Sequence, residues 1–142
     1  MIPRGGTRRK APVVLVVDDD PAMQRWVADV LQPAGFRVLA APDALTGLGV
    51  VRKAQPDVVV LDLGLPAGGG KGFLQRLRGL ATENTTPVVV LSGKLTSGTP
   101  AELAPFGVAE IMAKPAEPER LIEAVRRAAA KPPESAPRPK GW

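Results

Sequence analysis

Five polar side chains stand at the ends of four apolar runs. Asp18 and Asp19 follow Val13–Val17, Asp62 follows Val58–Leu61, Ser92 follows Val88–Leu91, and Lys114 follows Ile111–Ala113. Three carboxylates brought together without a cation repel and raise one another's pKa. A hard divalent cation removes that repulsion, and carboxylate oxygen is the ligand that Mg²⁺ prefers. Lys114 and Ser92 are suited to the oxygens of a bound anion. Such a set supports phosphoryl transfer, with cations neutralising charge, a hydroxyl donating and a carboxylate attacking. The chain has no histidine and no cysteine. It therefore lacks the commonest general base and all thiolate chemistry.

The elements that must position these groups follow from pattern. Each of the runs 13–17, 58–61 and 88–91 is an unbroken series of Val and Leu, which reads as a strand covered on both faces. Phe36–Ala40 and Ile111–Ala113 are shorter candidates. Between the strands, apolar residues recur at helical spacing. Asp20 serves as N-cap and Pro21 as the first helical residue, and Met23, Trp26, Val27, Val30 and Leu31 face inward. Pro33 and Gly35 end that helix. Asp43 caps a second helix, with Leu45, Leu48 and Val51 inward and Val50 at the margin. A third spans about Lys71 to Leu80 and buries Phe73, Leu74 and Leu77. The stretch 94–107 carries Pro100 and Pro105, and Pro105 is incompatible with a helix interior. It is expected to form only a turn or two, over Ala101–Ala104. Glu117-Pro118-Glu119 opens a final helix with Leu121, Ile122, Val125 and Ala129 on its apolar face. Five strand–helix alternations imply an α/β fold, a doubly wound five-stranded parallel sheet. Its expected strand order is 2-1-3-4-5, flavodoxin-like. That order sets strands 1, 3, 4 and 5 side by side, so the five polar side chains converge on one sheet edge.

At these residues the chain resembles the receiver domain of two-component response regulators. The matching pieces are Val17-Asp18-Asp19-Asp20-Pro21, Leu61-Asp62-Leu63-Gly64-Leu65-Pro66 with Gly70, Leu91-Ser92-Gly93 and Lys114-Pro115. They cover about residues 12–130. The resemblance implies that Asp62 is the phosphoacceptor. It implies a Mg²⁺ or Mn²⁺ ion held by Asp18, Asp19, Asp62 and the backbone carbonyl of Gly64, with Asp18 acting mainly through water. It implies that Ser92 moves to the phosphoryl group, that Lys114 pairs with it, and that the Lys114–Pro115 peptide is cis. A sensor histidine kinase or phosphotransfer protein is the implied donor, and a downstream protein the implied target. Self-phosphorylation from a donor and autodephosphorylation are then the only reactions expected, with no classical enzyme activity. Two departures concern the output face. The position three before the lysine, usually Tyr or Phe, is Ile111, and the fourth helix is interrupted.

The leading reading is therefore a stand-alone, phosphorylation-controlled switch. An interaction module of the same fold that works without phosphorylation is the alternative, favoured by Ile111 and the weak fourth helix. An aspartyl hydrolase like the haloacid dehalogenases would need Asp-x-Asp after the first strand and a cap domain. An FMN carrier would bring its phosphate against clustered acids. The net charge of +5 divides unevenly: residues 1–10 carry +4, residues 131–142 carry +2, and residues 11–130 carry −1. Residues 1–10 read as a basic disordered arm, 11–130 as the domain and 131–142 as a Pro-rich disordered tail. The segment after 130 is too short for a DNA-binding module. No stretch is long enough to span a membrane. A cytoplasmic protein, monomeric or weakly dimeric, is expected.

Overall fold

The computed structural model describes residues 10–66, 69–80 and 85–130. Strands β1 (Val13–Val17), β2 (Arg37–Ala41), β3 (Val58–Leu61), β4 (Val88–Ser92) and β5 (Glu110–Ala113) alternate with helices α1 (Pro21–Leu31), α2 (Ala44–Ala54), α3 (Gly69–Gly79), α4 (Thr99–Leu103) and α5 (Pro118–Ala130). All pairings are parallel, in the order β2-β1-β3-β4-β5. The expected topology is therefore the observed one. The expectations for residues 1–9 and 131–142 lie outside the described residues.

The unbroken apolar runs do what their composition requires. Every residue of β3 and β4 is buried, as are Val14–Val17 of β1. Alternate side chains of each strand feed two separate cores. Val14, Val16, Val58, Val60, Val89, Leu91 and Met112 pack under α1 and α5. Leu15, Val17, Val59, Leu61, Val88 and Val90 pack under α2, α3 and Leu103 of α4. Trp26 is half-buried against the first core, and Ile111 is half-buried against the second. The inward face of α5 is Leu121, Ala124, Val125 and Ala128, with Ile122 and Ala129 at its margins.

Local signals hold at the helix starts. The Asp20 carboxylate accepts from the Ala22 N–H at 3.0 Å. The Asp43 carboxylate accepts from the Thr46 N–H at 2.7 Å. That bond holds the Asp43 carboxyl below its ordinary range. Leu45 corrects the expected inward face of α2: it is 75% exposed. The buried face is instead centred on Gly47, Leu48 and Val51, with Ala44 beside them. Gly47 sits against Phe73 and Val17, where a Cβ would stand 3.1 Å from each side chain, a tight fit. At about 100° per residue, Leu45 then points roughly a third of a turn away from the core.

Helix α3 starts at Gly69, two residues before the expected Lys71, because Gly70 permits it. A Cβ at Gly70 would lie 2.5 Å from the Leu63 Cα and 2.8 Å from its carbonyl oxygen. Only glycine lets the first turn of α3 approach the loop after Asp62 so closely. Segment 94–107 is irregular, as Pro105 requires, but its helical part lies earlier than expected. Helix α4 runs over Thr99–Leu103 and passes into a single 3₁₀ turn at Ala104–Phe106.

Candidate functional site

The carboxyl ends of β1, β3, β4 and β5 bring the expected side chains together. Carboxylate oxygens of Asp18, Asp19 and Asp62 lie within 4.8 Å of one another. Asp18 and Asp62 are buried, whereas Asp19 is exposed. Each buried carboxylate has named partners. Asp18 Oδ1 accepts from the Asp20 N–H at 2.9 Å. Asp18 Oδ2 takes the Lys114 ammonium at 2.8 Å. Asp62 Oδ1 accepts from the Gly64 N–H at 2.9 Å and from the Ser92 hydroxyl at 2.8 Å. Asp62 Oδ2 lies 3.5 Å from Lys114 Nζ. Among the described residues the exposed Asp19 carboxylate has no hydrogen-bond or ion-pair partner.

Lys114 is the one cation paired with this cluster among the described residues. Burial pulls its ammonium toward the neutral form. Hydrogen bonding and charge attraction from Asp18, and then from Asp62, outweigh burial and raise its pKa above the ordinary value of 10.5. One ammonium among three carboxylates leaves a net negative charge. All the side-chain donors facing it are oxygens, which is the set a hard cation takes. The residues present thus fit Mg²⁺ or Mn²⁺. The Lys114–Pro115 peptide is cis.

Two contributors, Gln24 and Lys94, were not apparent from sequence. The Gln24 side chain donates to the Asp18 carbonyl at 2.7 Å and fixes the loop after β1. The Lys94 N–H donates to the Ser92 hydroxyl oxygen at 3.1 Å, so this hydroxyl links Asp62 to the head of segment 94–107. The aliphatic stem of Lys94 also lies over Gly64, its Cγ 3.0 Å from where a Cβ would stand. Its place two residues after Ser92 was the available hint, but only the fold shows what the stem covers.

Residues 14–126 match the response regulator receiver domain family. The chain belongs to that family. The receiver domain is 36% identical over 124 residues to the KDP operon transcriptional regulatory protein KdpE of Escherichia coli, covering 80% of this chain and 51% of that protein. It is 33% identical over 129 residues to a protein-glutamate methylesterase/protein-glutamine glutaminase of Anaeromyxobacter dehalogenans, covering 83% of this chain and 36% of that protein. The chain thus spans about half or less of these relatives. The chemotaxis protein CheY4 of Vibrio cholerae superposes with a TM-score of 0.77 at 29% identity, over 83% of this chain and 98% of that one. Receiver domains are phosphoacceptor switches rather than classical enzymes, and their setting is two-component signalling. Among the described residues no helix is long and apolar enough to cross a membrane.

Proposed function

We propose that this receiver domain accepts a phosphoryl group on Asp62 from a sensor histidine kinase or phosphotransfer protein in the cytoplasm, and passes the signal to a protein target. The observation that carries the reading is the position of Asp62, buried between Asp18, Asp19, Ser92 and Lys114. Oδ1 already accepts two hydrogen bonds, so Oδ2 is the freer oxygen to offer to phosphorus. Attack forms the Asp62 oxygen–phosphorus bond and breaks the bond to the donor, whose leaving group departs with the electron pair. Asp18, Asp19, Asp62 and the Gly64 carbonyl would hold Mg²⁺ or Mn²⁺, which when bound supplies positive charge to the phosphoryl oxygens. Lys114 supplies a second, fixed positive charge from the carboxyl end of β5.

Ser92 couples this chemistry to the rest of the molecule. Its hydroxyl donates to Asp62 now and would donate to a phosphoryl oxygen afterwards. In moving, it changes the bond it accepts from Lys94. Ile111 has no ring to swing inward and no hydroxyl to bind the backbone, and its β-branched side chain has restricted χ1 freedom. The readout therefore falls on segment 94–107, which begins at Lys94. Incubation with acetyl phosphate and Mg²⁺, followed by intact mass, tests the assignment. Wild type should gain one phosphoryl mass, and Asp62→Ala and Asp19→Ala should not. A gain that persists in Asp62→Ala places the acceptor elsewhere.

A further inference from the structure

The exposed flank of α2 and the end of α3 form a groove that the phosphoryl site does not use. On α2, Leu45, Leu48, Gly49 and Arg52 recur at i, i+3, i+4 and i+7, which makes one continuous stripe. Arg76 and Gly79 of α3 and Leu80, the residue after that helix, face it. Together they line a shallow groove of about 530 Å³, open to solvent. Leu45, at 75% exposure, is the one large apolar side chain left largely in solvent among the described residues. Gly49 stands inside α2, where glycine weakens a helix. Nothing packs on it: a Cβ there would meet no atom within 4 Å. The glycine therefore answers to no neighbour within the domain, and it keeps the groove open.

The charges decide what fits. Arg52 and Arg76 rim an apolar floor, and neither guanidinium has an ion-pair or hydrogen-bond partner among the described residues. Among the described residues no carboxylate lines the groove. The chain's own flanks are poor occupants, because residues 1–10 carry +4 and residues 131–142 carry +2. A second copy placing the same groove here would set four arginines together. From this charge and shape we infer that the α2/α3 groove docks an acidic segment of a partner protein, one that inserts a Leu- or Phe-sized side chain beside Leu45 and Leu48 and sets carboxylates against Arg52 and Arg76. This site is separate from the phosphoryl chemistry and stands or falls independently of it.

The test uses the full ¹⁵N-labelled chain and a synthetic amphipathic peptide of Leu, Ala and Glu. Saturable amide shifts centred on residues 45–52 and 76–80 are expected. Replacing Glu by Gln in the peptide, or Arg52 and Arg76 by Glu in the protein, should weaken binding by about tenfold, as two exposed ion pairs allow. Gly49→Leu, which fills the groove, should abolish the shifts. The charge-reversed protein, whose changes are at the surface, keeps the test decisive should Gly49→Leu fail to fold. Shifts centred elsewhere, or equal binding of the Gln peptide, overturn the proposal. So do shifts that grow with protein concentration alone, which assign the groove to a second copy. Stronger shifts with phosphatidylglycerol vesicles assign it to a membrane and overturn it too.

Discussion

The two faces of the sheet are covered by different means. On one, α1 and α5 are long, and their buried residues form a single core with the alternate residues of β1, β3, β4 and β5. On the other, α2 and α3 are joined by α4, which has five residues and one buried large apolar side chain, Leu103. Burying one leucine is worth roughly 2 kcal/mol, little for holding a segment of this length. Polar ties add to it, among them the exposed Lys71–Glu102 ion pair at 3.3 Å. The Thr96 N–H donates to Thr99 Oγ1 at 2.9 Å, and the Gly98 N–H to Thr96 Oγ1 at 3.2 Å. At the far end the half-buried Arg78 donates to the carbonyls of Phe106 and Thr86, both at 2.8 Å. Ile111 belongs to this same face. The phosphoryl site sits on the edge that both faces share, but its hydroxyl, Ser92, is wired to the looser one through Lys94. On the proposed function, a signal generated at this common edge should meet one face that resists movement and one that permits it.

Three changes bear on that contrast. The largest is expected from Gly70→Ala, which drives a methyl group into the backbone of Leu63. Backbone cannot step aside as a flexible side chain can, so a loss of about 3 kcal/mol is expected in urea unfolding. A loss below 1 kcal/mol would mean that α3 is itself movable. Arg78→Met comes next. It removes two hydrogen bonds from a charged donor and should cost about 2 kcal/mol. Hydrogen exchange should quicken within 94–107 and stay unchanged in α1 and α5. Uniform quickening in all helices would erase the distinction between the faces.

The smallest effect concerns pH. The Lys114 pKa is raised in the folded state, so its stabilisation is complete below the ordinary value of 10.5 and is lost as pH rises through the higher folded value. The difference in urea midpoint between wild type and Lys114→Met should be flat through neutral pH and shrink only above about 10.5. A difference that shrinks near neutrality would contradict the ion pairs.

Much of this was legible in the chain, for identifiable reasons. Runs of Val and Leu are satisfied as doubly covered strands, so β1, β3 and β4 were readable from them, and the strand order followed from the strand–helix alternation with right-handed crossovers. The acids, Ser92 and Lys114 were readable because strand ends in such a sheet face one edge. Asp20 and Asp43 announced helix starts through a local bond within three residues. Leu45 misled because periodicity marks a stripe without saying where its centre lies. That centre was set by Gly47 against Phe73 and Val17, a tertiary contact. The start of α3 depended on the approach of Gly70 to Leu63. The roles of Lys94 and Arg78 rest on contacts across the fold, and no local pattern announces them.

The central claim is that a phosphoryl group on Asp62 is read out by segment 94–107. Hydrogen exchange of the full chain with and without beryllofluoride and Mg²⁺ tests it most directly, because the mimic occupies the position of the phosphoryl group. The account predicts altered protection from Lys94 through Gly107 and in β5 around Ile111, with α1 and α5 unchanged. Altered protection confined to α1 and α2, with 94–107 unaffected, would contradict it.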